Sequence, residues 1–274
     1  MQLKLIKSLW GMSGSLESQI RQIADSGYTG VEAAIGYMDN RDELSRLLAQ
    51  YKLELIAQVI TRGSSAEDHI RDFKEQLAYA THYGAILVDA HGGKDSFDHK
   101  QLKQFYDAAL NAEAKLNIPI GHETHRGRPL FTPWTTAALL REFPELKLTA
   151  DISHWLCVCE SYLDDHAEAL QLAAQRTLHI HARVGYPQGP QVSHPAAPEF
   201  ERELHVHETF WEAVCKQSQA ERRPYLSVTP EFGPPGYLHT LPFTKQPVSD
   251  LWEVCNWMAK RFASRFAGYF EPTE

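Results

Sequence analysis

Eight apolar, β-rich runs, each followed by a segment that reads as a helix, constrain this chain more than any other feature of it. The runs cover residues 2–8, 30–35, 53–61, 85–90, 118–123, 146–152, 177–184 and 225–231. The helical segments are 15–26, 39–51, 65–83, 98–116, 133–143, 162–175, 199–219 and 248–266. In the first of them Leu16, Ile20, Ile23 and Ala24 recur at helical spacing. Ser65 stands where an N-cap belongs, with Asp68 three residues on. Strict alternation argues for a parallel sheet with helices outside it, and eight units close a barrel. An open doubly wound sheet would more usually carry a Gly-rich phosphate turn after an early strand, and the chain has none. The 274 residues suit a barrel of about 250. The expected architecture is therefore α/β: a single (β/α)8 TIM barrel with parallel strands, spanning residues 1–274 as one domain.

Four of the later runs end in chemistry. IPIGHETH carries Glu123, LKLTADISH carries Asp151 and His154, TLHIHAR carries His181, and YLSVTPEFG carries Glu231. Taken singly, a glutamate at a strand end is usually a surface or capping carboxylate, and a lone histidine a satisfied polar group. In a closed barrel, however, strands five to eight bring these ends together. Three carboxylates and one imidazole suit Mn²⁺ or Mg²⁺, and Co²⁺ or Zn²⁺ could also bind. His179, His181 and Arg183 alternate on one strand face, so all three could point inward at different depths.

With these residues the chain resembles the xylose-isomerase-like TIM barrels, the superfamily of sugar isomerases and epimerases. The likeness runs through nearly the whole order of elements, and its specific part is HETH, DISH, HIHAR and TPEFG. It implies one divalent metal held by Glu123, Asp151, His181 and Glu231. It also implies that Glu123 and Glu231 are an opposed acid/base pair and that His154 contacts substrate. The expected activity is a metal-dependent isomerisation or epimerisation of a small sugar or polyol ketone through an enediolate. Loss of a β-hydroxyl would instead give a dehydratase or lyase acting on a related polyol or keto acid. A non-catalytic sugar-binding barrel is a further reading. The apurinic endonucleases share the barrel but need more ligands. Strand three ends in QVIT without a histidine, and loop 185–198 has no Asp-x-His.

Other candidates for substrate contact are Arg183, His91, His125, Glu32 and Trp10. Arg183 could clamp a substrate oxygen or instead pair with a ligand carboxylate. His91 and Glu32 end strands four and two, where either could bond a polyol. His125 flanks Glu123 and could reach the ligand, whereas His122 points away. Trp10 could stack on a sugar face. Long connections at 124–132, 185–198 and 232–247 would lie over the same mouth, where specificity is built.

The net charge of −8, without a run of Lys or Arg, disfavours nucleic acid as a partner. No apolar run approaches the roughly 20 residues of a membrane span, and the first ten residues do not read as a secretory signal. Cys157, Cys159, Cys215 and Cys255 form no CxxC pair, which suits reduced thiols in a cytoplasm. The expected partner is a small sugar or polyol. Homo-oligomerisation is not readable from the sequence.

Overall fold

The computed structural model describes residues 1–272 and contains eight parallel strands closed into a barrel in sequence order. The elements are β1 (Gln2–Ser8), α1 (Leu16–Asp25), β2 (Gly30–Ala33), α2 (Arg41–Tyr51), β3 (Glu54–Ile60), α3 (Ala66–His82), β4 (Leu87–His91) and α4 (His99–Glu113). They continue with β5 (Ile120–Glu123), α5 (Pro133–Glu142), β6 (Leu148–Ala150), α6 (Ser153–Cys159), α7 (Ala167–Arg176), β7 (Thr177–His181), α8 (Glu201–Ala220), β8 (Tyr225–Thr229) and α9 (Leu251–Arg265). Pairing of β1 with β8, from Gln2 opposite Tyr225 to Leu5 opposite Val228, closes the ring. The expected TIM barrel is thus the fold.

Local chemistry sets the helix starts. Ser65 and Asp68 form a reciprocal capping box on α3, and Asp98 and Gln101 do the same on α4. Thr132 caps α5, with Pro133 in the first turn, where a missing N–H costs nothing. One helix lies outside the expected pattern. β6 stops at Ala150, and the Ser153 N–H is taken by Asp151 Oδ1 at 3.0 Å, turning the chain directly into α6. The segment expected as one helix at 162–175 begins as a short 3₁₀ turn and becomes α7 only at Ala167.

Strand alternation divides the side chains between two compartments. Outward residues such as Val31, Leu55, Val88, Leu148 and Val228 pack under the helices in the main apolar core. Inside the barrel, Ile6, Ile56 and Leu87 form a separate apolar layer. On β7 the inward positions run from His179 to His181 towards the C-terminal mouth, and the layers there are polar and buried. Among the described residues no helix is long and apolar enough to cross a membrane. The four cysteines are free thiols, and none stands in a ligand cluster.

Candidate active site

Glu123 and His181 are the last residues of β5 and β7, Asp151 follows β6 by one residue, and Glu231 follows β8 by two. One ligand atom from each of the four lies within 4.8 Å of the others, and all four residues are buried. His181 is the hub. Its Nδ1 lies 3.0 Å from Glu123 Oε1 and 3.2 Å from Glu231 Oε2, while its Nε2 lies 3.0 Å from Glu32 Oε1. Burial opposes a charge on this ring, but Glu231, Glu32 and Asp89 outweigh it and hold the imidazole well above its ordinary range.

The carboxylates respond in kind. Burial pushes Glu123 up, yet His91 and His125 pull it well below the usual carboxylate range. Burial likewise opposes ionisation of Glu231, and His181 and Arg183 overcome it. Asp151 goes the other way: burial lifts it to about 6 in spite of Arg183. His91 approaches Glu123 Oε2 to 2.6 Å at Nδ1 and Asp89 Oδ2 to 2.7 Å at Nε2. Burial works against its proton as well, but these two acids raise it to about 10.

Arg183 crosses the floor of the site. Its guanidinium donates to Asp151 Oδ2, to Ser153 Oγ at 3.1 Å and to His154 Nε2 at 2.6 Å, and it lies 3.5 Å from Glu231 Oε2. His154 therefore accepts from Arg183 and is uncharged, since burial, with His125 and Arg183 adding to it, keeps it well below its ordinary range. The DISH histidine is fully enclosed, with its ring centroid 3.9 Å from that of His125 at a tilt of 49°, and T-shaped to Tyr237 at 6.4 Å. His125 is lowered by burial to about 4. His122 points away from the mouth, bonded to Glu113 at 2.8 Å and stacked on Phe73.

Whether a cation suits this cluster is decided by its donors. Three carboxylates and one imidazole are shut from solvent together, and such charge is stable only when it is neutralised. Arg183 and His181, the latter held well above its ordinary range by the surrounding carboxylates, place positive charge beside them. Glu123 Oε2 has no aligned hydrogen bond among the described residues despite the approach of His91. The donor set fits a hard or borderline divalent cation.

A cavity of about 660 Å³ opens above the cluster. Glu32, Gln58, His91, His125, Arg183 and Glu231 face it, as does Trp10, which is 36% exposed and packs edge-on against Tyr237 at 5.0 Å. Glu123, Asp151, His181 and His154 are not on its lining. Glu32, expected as a polyol contact, lines the cavity and has a further partner. One of its oxygens is committed to His181, and the other, 3.7 Å from His179, has no bond among the described residues. Burial opposes its charge, but His181 and His179 prevail and keep it ionised.

Several residues at the site or bracing it carry no motif of their own. Asp89 lies two residues before His91 on β4, hence on the same inward face, and that parity was a usable signal. Gln58 donates to Glu231 Oε1 at 3.2 Å, and it too was visible as a polar residue inside an apolar strand. Gln191 is buried and pairs twice with the backbone of Gly233: its Nε2 donates to the carbonyl at 3.1 Å, and its Oε1 accepts the N–H at 2.7 Å. It thereby joins the connections after β7 and β8. Tyr237 covers Arg183 at 4.8 Å. Neither Gln191 nor Tyr237 carries a periodic signal.

The sequence profile described as "xylose isomerase-like TIM barrel" matches residues 20–210. No curated protein sequence matches the chain. Among solved structures, the 3-keto-D-glucoside 4-epimerase of E. coli superposes with a TM-score of 0.64 at 12% identity, covering 96% of this chain and 100% of that one. The probable 3-DHS dehydratase of Bacillus anthracis gives 0.60 at 15%, covering 96% and 99%. An AP endonuclease of family 2 from Brucella melitensis gives 0.58 at 16%, covering 98% and 99%. At such identities the likeness is one of fold, and the three neighbours carry three different names.

Proposed function

The chain belongs to the xylose isomerase-like TIM barrel family, and we propose that it is a divalent-metal-dependent isomerase or epimerase of a small sugar or polyol ketone. The observation that carries this reading is the convergence of Glu123, Asp151, His181 and Glu231 within 4.8 Å at the barrel mouth, beneath a cavity. A divalent cation held by these four would polarise the substrate carbonyl and stabilise negative charge as it develops beside it.

The chain's own groups supply the rest. Glu231 faces the cavity and is ionised, so it is placed to take the proton α to the carbonyl. Glu123, which meets the same His181 Nδ1 at 3.0 Å from below the cavity lining, is the partner that returns a proton. Return to the same carbon epimerises, and return to the neighbouring carbon isomerises. Gln58 and Arg183 hold the Glu231 carboxylate in place, and Glu32 orients the His181 ring. Trp10, His91, His125 and Arg183 then contact the substrate, with His154 acting from beneath Arg183.

One observation favours a second reading. Arg183 reaches the cavity lining with a fixed guanidinium, which would pair with a substrate carboxylate. On a carboxylated polyol or keto acid, the same proton abstraction followed by loss of a β-hydroxyl is dehydration. A nucleic-acid substrate finds less support: the neutral Gln58 amide, not an imidazole, reaches the site from β3.

The test is a titration of the purified protein with Mn²⁺, followed by mass analysis of keto sugars and keto acids incubated with the loaded enzyme. One tight site, weakened in Asp151→Asn, with a new compound of unchanged mass that separates chromatographically from the substrate supports isomerisation or epimerisation. Loss of water from the product supports the second reading. Absence of a tight site overturns both.

A further inference from the structure

Part of the cavity lining offers nothing to a sugar hydroxyl. Most polar lining groups gather on the floor, at Glu32, Gln58, His91, His125, Arg183 and Glu231; Gln19, Asn40 and Arg128 also line the cavity, but their side chains donate to Gly14, to Glu43 and to the Thr61 and Gly93 carbonyls. The connections after β1 and β2, with the first residue of α1, contribute Leu9, Met12, Leu16 and Met38, together with the rings of Trp10 and Tyr37. Tyr37 spends its hydroxyl on the Ile60 carbonyl, so it presents ring rather than donor. Both rings are more than a third exposed. Exposed aromatic rings beside half-buried thioether side chains around a concavity are what an apolar ligand group fills.

Size points the same way. At about 660 Å³ the cavity falls among the pockets of roughly 300–1,000 Å³ that enclose drug-sized ligands. A free hexose seated on the polar floor leaves the apolar wall uncovered. Moved against that wall, its hydroxyls would lose water and gain no partner, which is unfavourable.

We infer that the cavity holds a second subsite beside the sugar position, and that its ligand is an apolar or aromatic group attached to the sugar. The substrate class is a glycoside, or a polyol bearing a comparable substituent, rather than a free sugar. This rests on the reading of the floor as a sugar site and deepens it. The wall residues belong to two connections that carry none of the four clustered ligands, so specificity at this subsite is separable from the chemistry.

The experiment compares binding of a phenyl glycoside and the methyl glycoside of the same sugar to the Mn²⁺-loaded protein, by calorimetry or ligand-observed NMR. Neither compound need react. The expected result is a phenyl preference of roughly tenfold or more, as burial of an aromatic ring provides. In Met12→Gln and Met38→Gln, which keep side-chain length and add an amide, the ratio falls towards one while metal uptake is unchanged. Equal affinities in the native protein, or binding of neither glycoside, overturn the subsite. A preference that persists in both variants overturns its location. Metal uptake is read separately: its failure overturns the catalytic reading, and the phenyl-to-methyl ratio still decides the subsite.

Discussion

Glu32 Oε1 lies 3.0 Å from His181 Nε2, and both side chains are closed to solvent inside the barrel. The contact fixes which ring nitrogen faces the carboxylates: Nδ1 is turned towards Glu123 and Glu231. A carboxylate behind a ligating histidine orients the ring and raises its basicity. Replacing Glu32 with Ala is expected to weaken Mn²⁺ affinity by about 10–100-fold, the usual effect of losing such a partner. Glu32→Gln keeps an acceptor and should lose less. Equal affinity in the native protein and both variants, by calorimetry, would remove this role.

Arg183 neutralises Asp151 and Glu231 where water cannot. Arg183→Met leaves those carboxylates without their cationic partner and should cost about 3–5 kcal/mol in the metal-free protein. Saturating Mn²⁺ should recover part of the loss, because the bound cation replaces the missing charge. Urea unfolding with and without metal checks both. A variant as stable as the native chain in metal-free buffer would contradict the assignment.

Gln191 clamps Gly233, two residues beyond Glu231. The clamp fixes the chain that carries Glu231 without touching the site. Gln191→Ala should lower kcat by about tenfold or more, since small displacements of a positioned group are costly, while metal content and overall fold are retained. The circular dichroism and metal stoichiometry of the variant separate this from simple unfolding. An unchanged kcat would show that Glu231 needs no such support.

His207, on α8, accepts the Gly185 N–H at Nε2 and is held by burial down to about 4, against an ordinary 6.5. Its folded-state affinity for a proton is depressed. The unfolded chain therefore binds the proton first, and stability is intact above about 6.5 and declines as the pH falls towards about 4. The full effect is about 3 kcal/mol for this buried group. Subtracting the stability profile of His207→Gln from that of the native protein should isolate the slope. Parallel profiles between those limits would contradict it.

Much of this was legible before the structure. Alternating apolar runs and helices specified the barrel, because parallel strands buried on both faces leave few other closures. Ser65 and Asp68 marked the start of α3 because a capping box is local chemistry. α6 was missed because its signal is a side chain of the site itself, Asp151 taking the Ser153 N–H. Glu123, Asp151, His181 and Glu231 were nominated by strand position together with family likeness, and each alone was ambiguous. Glu32 was nominated too, but its partner is a histidine 149 residues away, a pairing that only barrel closure creates. Gln191 and Tyr237 lie on irregular connections, where no periodicity reports which way a side chain turns.

In the proposed reaction Glu123 and Glu231 remove and return a proton α to a carbonyl at a metal-dependent site. Its most direct test is solvent-deuterium incorporation into a panel of keto sugars and keto glycosides, with Mn²⁺ and after chelation, in the native protein, Glu123→Gln and Glu231→Gln. The expected result is incorporation that requires metal and is lost in both variants while they still fold. Incorporation that survives chelation, or persists undiminished in both variants, would contradict it.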